Sequence, residues 1–221
     1  MKSLFKENKL FSILLLCSLL IVASANFSYV AAEIEYAFFA GGCFWCMEPP
    51  FEKLNGVKEV KSGFMGGERV EPSYEAVASG KTDHLESVRV KYNSEQISYA
   101  ELVEVFWQQI DPTDDGGQFV DRGQQYTTAI FYANEEEKKI AQKSKEFLNQ
   151  AEIFSERIVT DIRRAKEFYL AEKYHQDYYK KSTISYKFYR FRSGRDQYLD
   201  KIWTEKNLAL VDKISELNGK D

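Results

Sequence analysis

The hydrophobic and polar positions of this chain fall into short runs whose periods separate strands from helices. Tyr36-Ala37-Phe38-Phe39-Ala40 is an unbroken apolar run that stops at Gly41-Gly42, the pattern of a buried strand closed by a glycine turn. Val57 to Phe64 predicts a second strand, closed by Gly66-Gly67. Between Leu85 and Tyr92 the period is two, which places Glu86 on one face with Val88, Val90 and Tyr92. From Ser98 to Gln109 the period becomes helical. Ser98 and Glu101 form a capping box, and Leu102, Val105, Phe106 and Ile110 make one apolar stripe. Tyr126 to Tyr132 predicts a strand, Asn134 with Glu137 opens a helix to about Leu148, and Ile158, Thr160 and Ile162 mark a further strand. Shorter helical turns are expected from about Pro50 to Leu54, ended by Asn55-Gly56, and over 72–77, stopped by Gly80. Asp111 to Gln125 is polar and rich in glycine, a loop of the length that often carries function. Phe168 to Lys180 is a Tyr-rich amphipathic segment expected to pack. Ser185 to Arg195 alternates aromatics with Lys and Arg, the pattern of an edge strand with a charged outer face.

The first residues follow a different rule. Lys2, Lys6 and Lys9 precede an almost wholly apolar stretch from Leu10 to Ala23, and small residues follow, with cleavage expected after Ala32 or near Ala23-Ser24-Ala25. Residues 1–32 are therefore expected to be a cleaved export signal, too short in its apolar core for a membrane span. Residues 33–221 are expected to form one catalytic domain with a C-terminal extension from about 181. The leader carries three lysines and Glu7, so its removal takes the net charge from −4 to −6. That mild acidity gives no reason to expect nucleic acid as a partner.

Cleavage after Ala32 removes Cys17 and leaves Cys43 and Cys46. One Cys-x-x-Cys loop cannot staple a domain of this size, and with only His84 and His175 beside it the chain lacks the ligands of a zinc site. A redox pair fits better. Gly41-Gly42 places Cys43 at the start of a helical turn, where free amides favour a thiolate and lower its pKa. Phe44 and Trp45 beside it are candidate walls of a small apolar pocket. Glu86, on a buried face, is a candidate acid whose proton desolvation would retain near neutrality. Pro49-Pro50 follows closely and is expected to shorten or break the turn.

Taken together, the blocks Gly41-Gly42-Cys43-Phe44-Trp45, Pro72-Ser73-Tyr74, His84-Leu85-Glu86, Asp111-Pro112-Thr113, the run from Gln118 to Tyr126 and the run from Glu172 to Tyr178 resemble the A-type peptide methionine sulfoxide reductases. The resemblance implies a two-layer α+β sandwich around a mixed sheet. It implies Cys43 as nucleophile, Phe44 and Trp45 as walls of a methyl pocket, and Glu86 as the acid that protonates the sulfoxide oxygen. Tyr74 and Tyr126 would hold that oxygen, with Asp121 in the same pocket. The substrate would be the S epimer of methionine sulfoxide, free or in proteins. No bound cofactor is implied, and recycling would need an external thioredoxin-like dithiol. The protein is expected to be an exported monomer without membrane insertion after cleavage.

Two departures from the family pattern matter. Where many relatives have glycine after Phe-Trp, this chain has Cys46, and no cysteine follows it. Cys46 is therefore the candidate resolving thiol, which would close a disulfide on a Cys43 sulfenic acid. Thr127 replaces a basic residue found in many relatives. Three rivals stay open at this level. One is a thioredoxin-like disulfide exchanger built on Cys43-x-x-Cys46. The second is a Cys–His hydrolase using His84 or His175, and the third is an exported binding domain.

Overall fold

In the computed structural model, which describes residues 33–218, the apolar run before the glycine pair becomes β1 (Ile34–Gly41) and the cysteine turn opens α1 (Phe44–Glu52). The chain continues through β2 (Val57–Met65), α2 (Tyr74–Ala78), β3 (Leu85–Asn93) and α3 (Tyr99–Trp107). The polar loop contains a small ladder, β4 (Gly117–Gln118) with β5 (Asp121–Arg122), and is followed by β6 (Thr128–Tyr132), α4 (Glu135–Gln150), β7 (Asp161–Arg164) and β8 (Tyr169–Leu170). Four short helices follow, α5 (Tyr178–Lys181), α6 (Thr183–Arg192), α7 (Arg195–Ile202) and α8 (Glu205–Val211), and a 3-10 helix (Asp212–Asn218) ends the described residues. The expected leader, 1–32, lies outside the described residues.

The main sheet has the order β7-β6-β1-β3-β2-β8. Only β6 and β7 run parallel, so the sheet is mixed and the fold is α+β, as the resemblance implied. Helices cover one face. There Phe39 of β1 stacks on Phe51 of α1 at 5.1 Å and on Phe106 of α3 at 5.2 Å between ring centres. Burying each such ring is worth about 1.5–3 kcal/mol, so this column binds α1 and α3 to the sheet centre. A smaller cluster on the opposite face joins Met65, Leu85 and Phe131 to Phe38 and Phe168. Alternation along β3 thus sends Leu85 one way and Glu86 the other, toward the helices. Both caps form as expected: Ser98 and Glu101 close the capping box of α3, and Asn134 accepts the Glu137 amide at the start of α4.

Three expectations are corrected. The helix expected at about Pro50 to Leu54 begins instead at Phe44 and runs through both prolines to Glu52. Pro50 lacks the N–H that would bond the Cys46 carbonyl one turn back, and the Arg190 guanidinium donates to that carbonyl instead, at 3.2 Å. The strand expected around Ile158 to Ile162 pairs only from Asp161. Before it, the Val159 amide bonds Pro112 of the loop rather than a strand. The edge strand expected over 185–195 is the helix α6. Its inward residues Tyr186, Tyr189 and Arg190 stand at i, i+3 and i+4, while Ile184, Phe188 and Phe191 are exposed.

Candidate active site

Cys43 is the N-cap residue of α1, delivered there by Gly42 in the left-handed region at φ 79. A Cβ on Gly42 would stand 2.6 Å from the Gln118 side chain and 3.0 Å from Arg195. Gln118 is fully buried and ties the polar loop together, accepting the Asp111 amide at 2.9 Å and donating to its carbonyl at 2.7 Å. The loop is therefore pinned against the cysteine turn rather than free above it.

Glu86 reaches the same turn from the sheet. It is 2 % exposed, and its Oε2 accepts the Phe44 backbone N–H at 3.1 Å. The carboxyl thus occupies the amide that the sequence argument had assigned to a Cys43 thiolate, and the Cys43 side chain makes no cap hydrogen bond. Burial pushes Glu86 up to about 8, against the lowering effect of the Phe44 amide, so the acid is largely protonated at neutral pH. Asp121, from β5, adds to the rise.

The two thiols are free, buried and hydrogen-bonded to each other. Burial, then that bond, pushes the Cys43 thiol well up. Cys46 goes the other way: its bond to Cys43 lowers it most, and Arg195 and Arg190 lower it further against burial. The expected depression of the Cys43 pKa is therefore corrected. The helix-start amide is spent on Glu86, and Arg190 sits on the Cys46 carbonyl.

Tyr74 opens α2, its amide held by Glu172 at 3.0 Å, and Tyr126 closes a single 3-10 turn after the polar loop. Burial raises both hydroxyls, Tyr74 to about 12 and Tyr126 further, and the charges of Glu86, Cys43 and Asp121 act on each. Those shared neighbours bring five of the sequence candidates to one place, with both tyrosines fixed as neutral O–H donors. Asp121 accepts the Tyr189 hydroxyl of α6, and burial raises its carboxyl.

Phe44 is buried, with its ring 5.0 Å from His175, whereas Trp45 is half-buried. Trp45 is clamped on three sides. Its indole N–H donates to His175 Nδ1 at 3.2 Å, its ring stacks on Tyr178 at 3.9 Å, and the edge of Tyr189 meets it at 6.0 Å. Tyr178 is set in turn by Glu48 of α1, whose carboxylate accepts the Asp177 amide at 3.1 Å beside α5. His84 spends both ring nitrogens on backbone, at Gly67 and Arg69, and takes no part in the site.

Sequence reasoning missed Tyr189, Arg190 and Arg195. The i, i+3 spacing of Tyr186 and Tyr189 was the available signal, masked by an alternating aromatic–basic pattern. Sequence reasoning gave His175 packing as its first role and catalysis in the hydrolase rival, whereas His175 orients Trp45.

A paired thiol set beside a proton-bearing carboxyl on a mixed α+β sheet defines a thiol-dependent oxidoreductase. The model of the family described as peptide methionine sulfoxide reductase matches residues 35–207. Peptide methionine sulfoxide reductase MsrA of Bacillus licheniformis is 48 % identical over 178 residues, covering 80 % of this chain and 98 % of that protein. The MsrA of Bacillus velezensis is 51 % identical over 172 residues, covering 78 % and 97 %. Among solved structures, reduced Mxr1 from Saccharomyces cerevisiae is 33 % identical with a TM-score of 0.64, covering 71 % of this chain and 90 % of that one. The chain belongs to the peptide methionine sulfoxide reductase family, and it reduces methionine sulfoxide with thiols. That membership displaces the disulfide-exchange, hydrolase and binding-domain rivals.

Proposed function

We propose that Cys43 takes the oxygen from the S epimer of methionine sulfoxide, with Glu86 as its proton donor and Cys46 as the thiol that regenerates it. A sulfoxide oxygen leaves sulfur only when protonated, so attack by Cys43 needs an acid that still holds its proton at neutral pH. The observation that carries this reading is Glu86, buried to 2 % exposure with one oxygen on the Phe44 amide 3.1 Å away, so that its other oxygen carries the proton. Tyr74 and Tyr126, kept neutral by burial, donate hydrogen bonds to the sulfoxide oxygen. Trp45, held by His175 and Tyr178, forms the wall against which the methyl group rests, with Phe44 behind it and Asp121 at the polar side. The Cys43 thiol gives up its proton to solvent while Glu86 gives its own to the oxygen, the sulfur–oxygen bond of the substrate breaks, and methionine leaves Cys43 as a sulfenic acid. Cys46 then closes a disulfide, which an external thioredoxin-like dithiol reduces.

The reading covers both free and protein-bound methionine sulfoxide. The basic, then apolar, character of residues 2–23 supports export to the cell envelope and an envelope dithiol as reductant. The test is incubation with resolved sulfoxide epimers and dithiothreitol. Loss of the S epimer alone, abolished by Cys43→Ser, is expected. Loss of the R epimer, or activity surviving in Cys43→Ser, would remove the reading.

A further inference from the structure

The C-terminal helices bring two arginines onto the cysteine turn. Arg190 of α6 donates to the Cys46 carbonyl left open by Pro50, and its Nε pairs with Asp196 at 2.7 Å. Arg195 begins α7 and is 0 % exposed. Its Nη2 donates to the Gly41 carbonyl at 2.9 Å and its Nη1 to the Gln109 carbonyl at 2.6 Å, with Met47 Sδ at 3.7 Å. Its guanidinium lies 4.7 Å from the centre of the Phe119 ring, and its Nε has no hydrogen-bond partner. Among the described residues no ion pair joins Arg195 to a carboxylate, and every polar atom it touches is neutral. A permanent cation buried on neutral groups is costly unless an anion sits close by. The other buried pair at this turn is Cys43 and Cys46, both free thiols. Cys46 has Arg190 on its own carbonyl and Arg195 on the side chain of the next residue, Met47, and both cations favour it as an anion.

We propose that Arg195, supported by Arg190, is a positioning residue whose buried charge is matched by the Cys46 thiolate, keeping the resolving sulfur ionised and ready for the sulfenic acid. This rests on the reading of Cys46 as the resolving thiol. In that step Cys46 sulfur attacks the Cys43 sulfur, an S–S bond forms and the S–O bond breaks. Glu86, reprotonated from solvent after oxygen transfer, gives its proton to the leaving hydroxide, which departs as water; Cys46 is oxidised and the sulfenic sulfur reduced, so no external electron enters. Tyr186 and Tyr189 of α6 and Glu86 of β3 also feel the Cys46 charge. All three are pushed upward by burial, so none competes as an anion near neutrality. Asp121 is a second acid on which Arg195 acts, and it already holds the Tyr189 hydroxyl.

The test separates ionisation from turnover. The Cys46 ¹³Cβ resonance of the reduced full-length protein is followed through a pH titration for wild type, Arg195→Met, Arg195→Lys and Arg190→Met. Disulfide closure after a single oxygen transfer is timed in the same proteins. Arg195→Met should move the Cys46 titration upward by about one pH unit or more and slow closure at neutral pH by roughly tenfold, in proportion to the lost thiolate. Oxygen transfer should change far less, and Arg195→Lys should recover most of the titration. Should Arg195→Met not fold, Arg190→Met reports a smaller shift of the same sign. An unmoved Cys46 titration with a raised Asp121 carboxyl would make Asp121 the partner and overturn the proposal. A shifted titration in a protein that never forms the Cys43–Cys46 disulfide would leave the charge pairing intact and refute Cys46 as the resolving thiol.

Discussion

Replacing Glu86 by Gln keeps the acceptor for the Phe44 amide and removes the one proton that the chemistry needs. The carboxyl titrates at about 8 in the folded protein and near 4.3 when solvated in an unfolded chain, and each tenfold in a proton equilibrium is worth about 1.4 kcal/mol. Ionising Glu86 in place therefore costs the fold at most about 5 kcal/mol, less whatever relaxation or water entry recovers. Because the folded pKa is the higher one, this stability is fully present below about pH 4 and is lost as pH rises through about 8. The variant carries no such titration, so its stability relative to wild type should grow from pH 5 to pH 9. In single-turnover reduction without recycling thiol, wild type should lose rate as pH passes about 8. The variant should be slower by roughly 10²–10⁴-fold at pH 7 and lack that falling limb. Urea denaturation at both pH values and rapid-quench assays measure the two effects separately. A variant within threefold of wild type, or one slower but with the falling limb intact, would refute Glu86 as the proton donor.

Three further expectations concern neighbouring parts of the structure. His175→Phe keeps a ring beneath Trp45 but strands its indole N–H, at a cost of about 1–3 kcal/mol. The expected result is a several-fold rise in KM with a smaller change in kcat, and an altered Trp45 fluorescence. Tyr126→Phe should slow single-turnover oxygen transfer by about tenfold, as for a lost hydrogen-bond donor to developing charge, while disulfide closure is unchanged. Ser98→Ala removes the capping box of α3 and should cost about 1 kcal/mol in urea denaturation with no change in turnover.

The strands and their buried faces were legible because a half-buried strand imposes period two. Glu86 was placed on the buried face on that ground alone, before any family resemblance. What was not legible depends on contacts between distant segments. Pro49 and Pro50 break helices by removing donors, yet α1 continues through them because Arg190, distant in sequence, supplies the donor that Pro50 lacks. The low-pKa thiol was placed on Cys43 by a local rule that is sound for an open helix start. Glu86 had already taken the Phe44 amide, and Arg190 and Arg195 act on the other sulfur. Over 186–192 the residues alternate in sequence while the packing that matters follows i, i+3 and i+4. Only the tertiary surface beneath α6 decides between those two periods.

The central claim is that oxygen passes to Cys43 and that Cys46 resolves it. Mixing reduced protein with excess methionine S-sulfoxide and no reductant, then mapping thiols, sulfenic acid and disulfides by mass spectrometry, tests it most directly. Wild type should release one methionine per chain and carry a Cys43–Cys46 disulfide, whereas Cys46→Ser should release one methionine and hold a trappable sulfenic acid on Cys43. Wild-type protein that keeps Cys46 reduced while sulfenic acid accumulates on Cys43 would contradict the account.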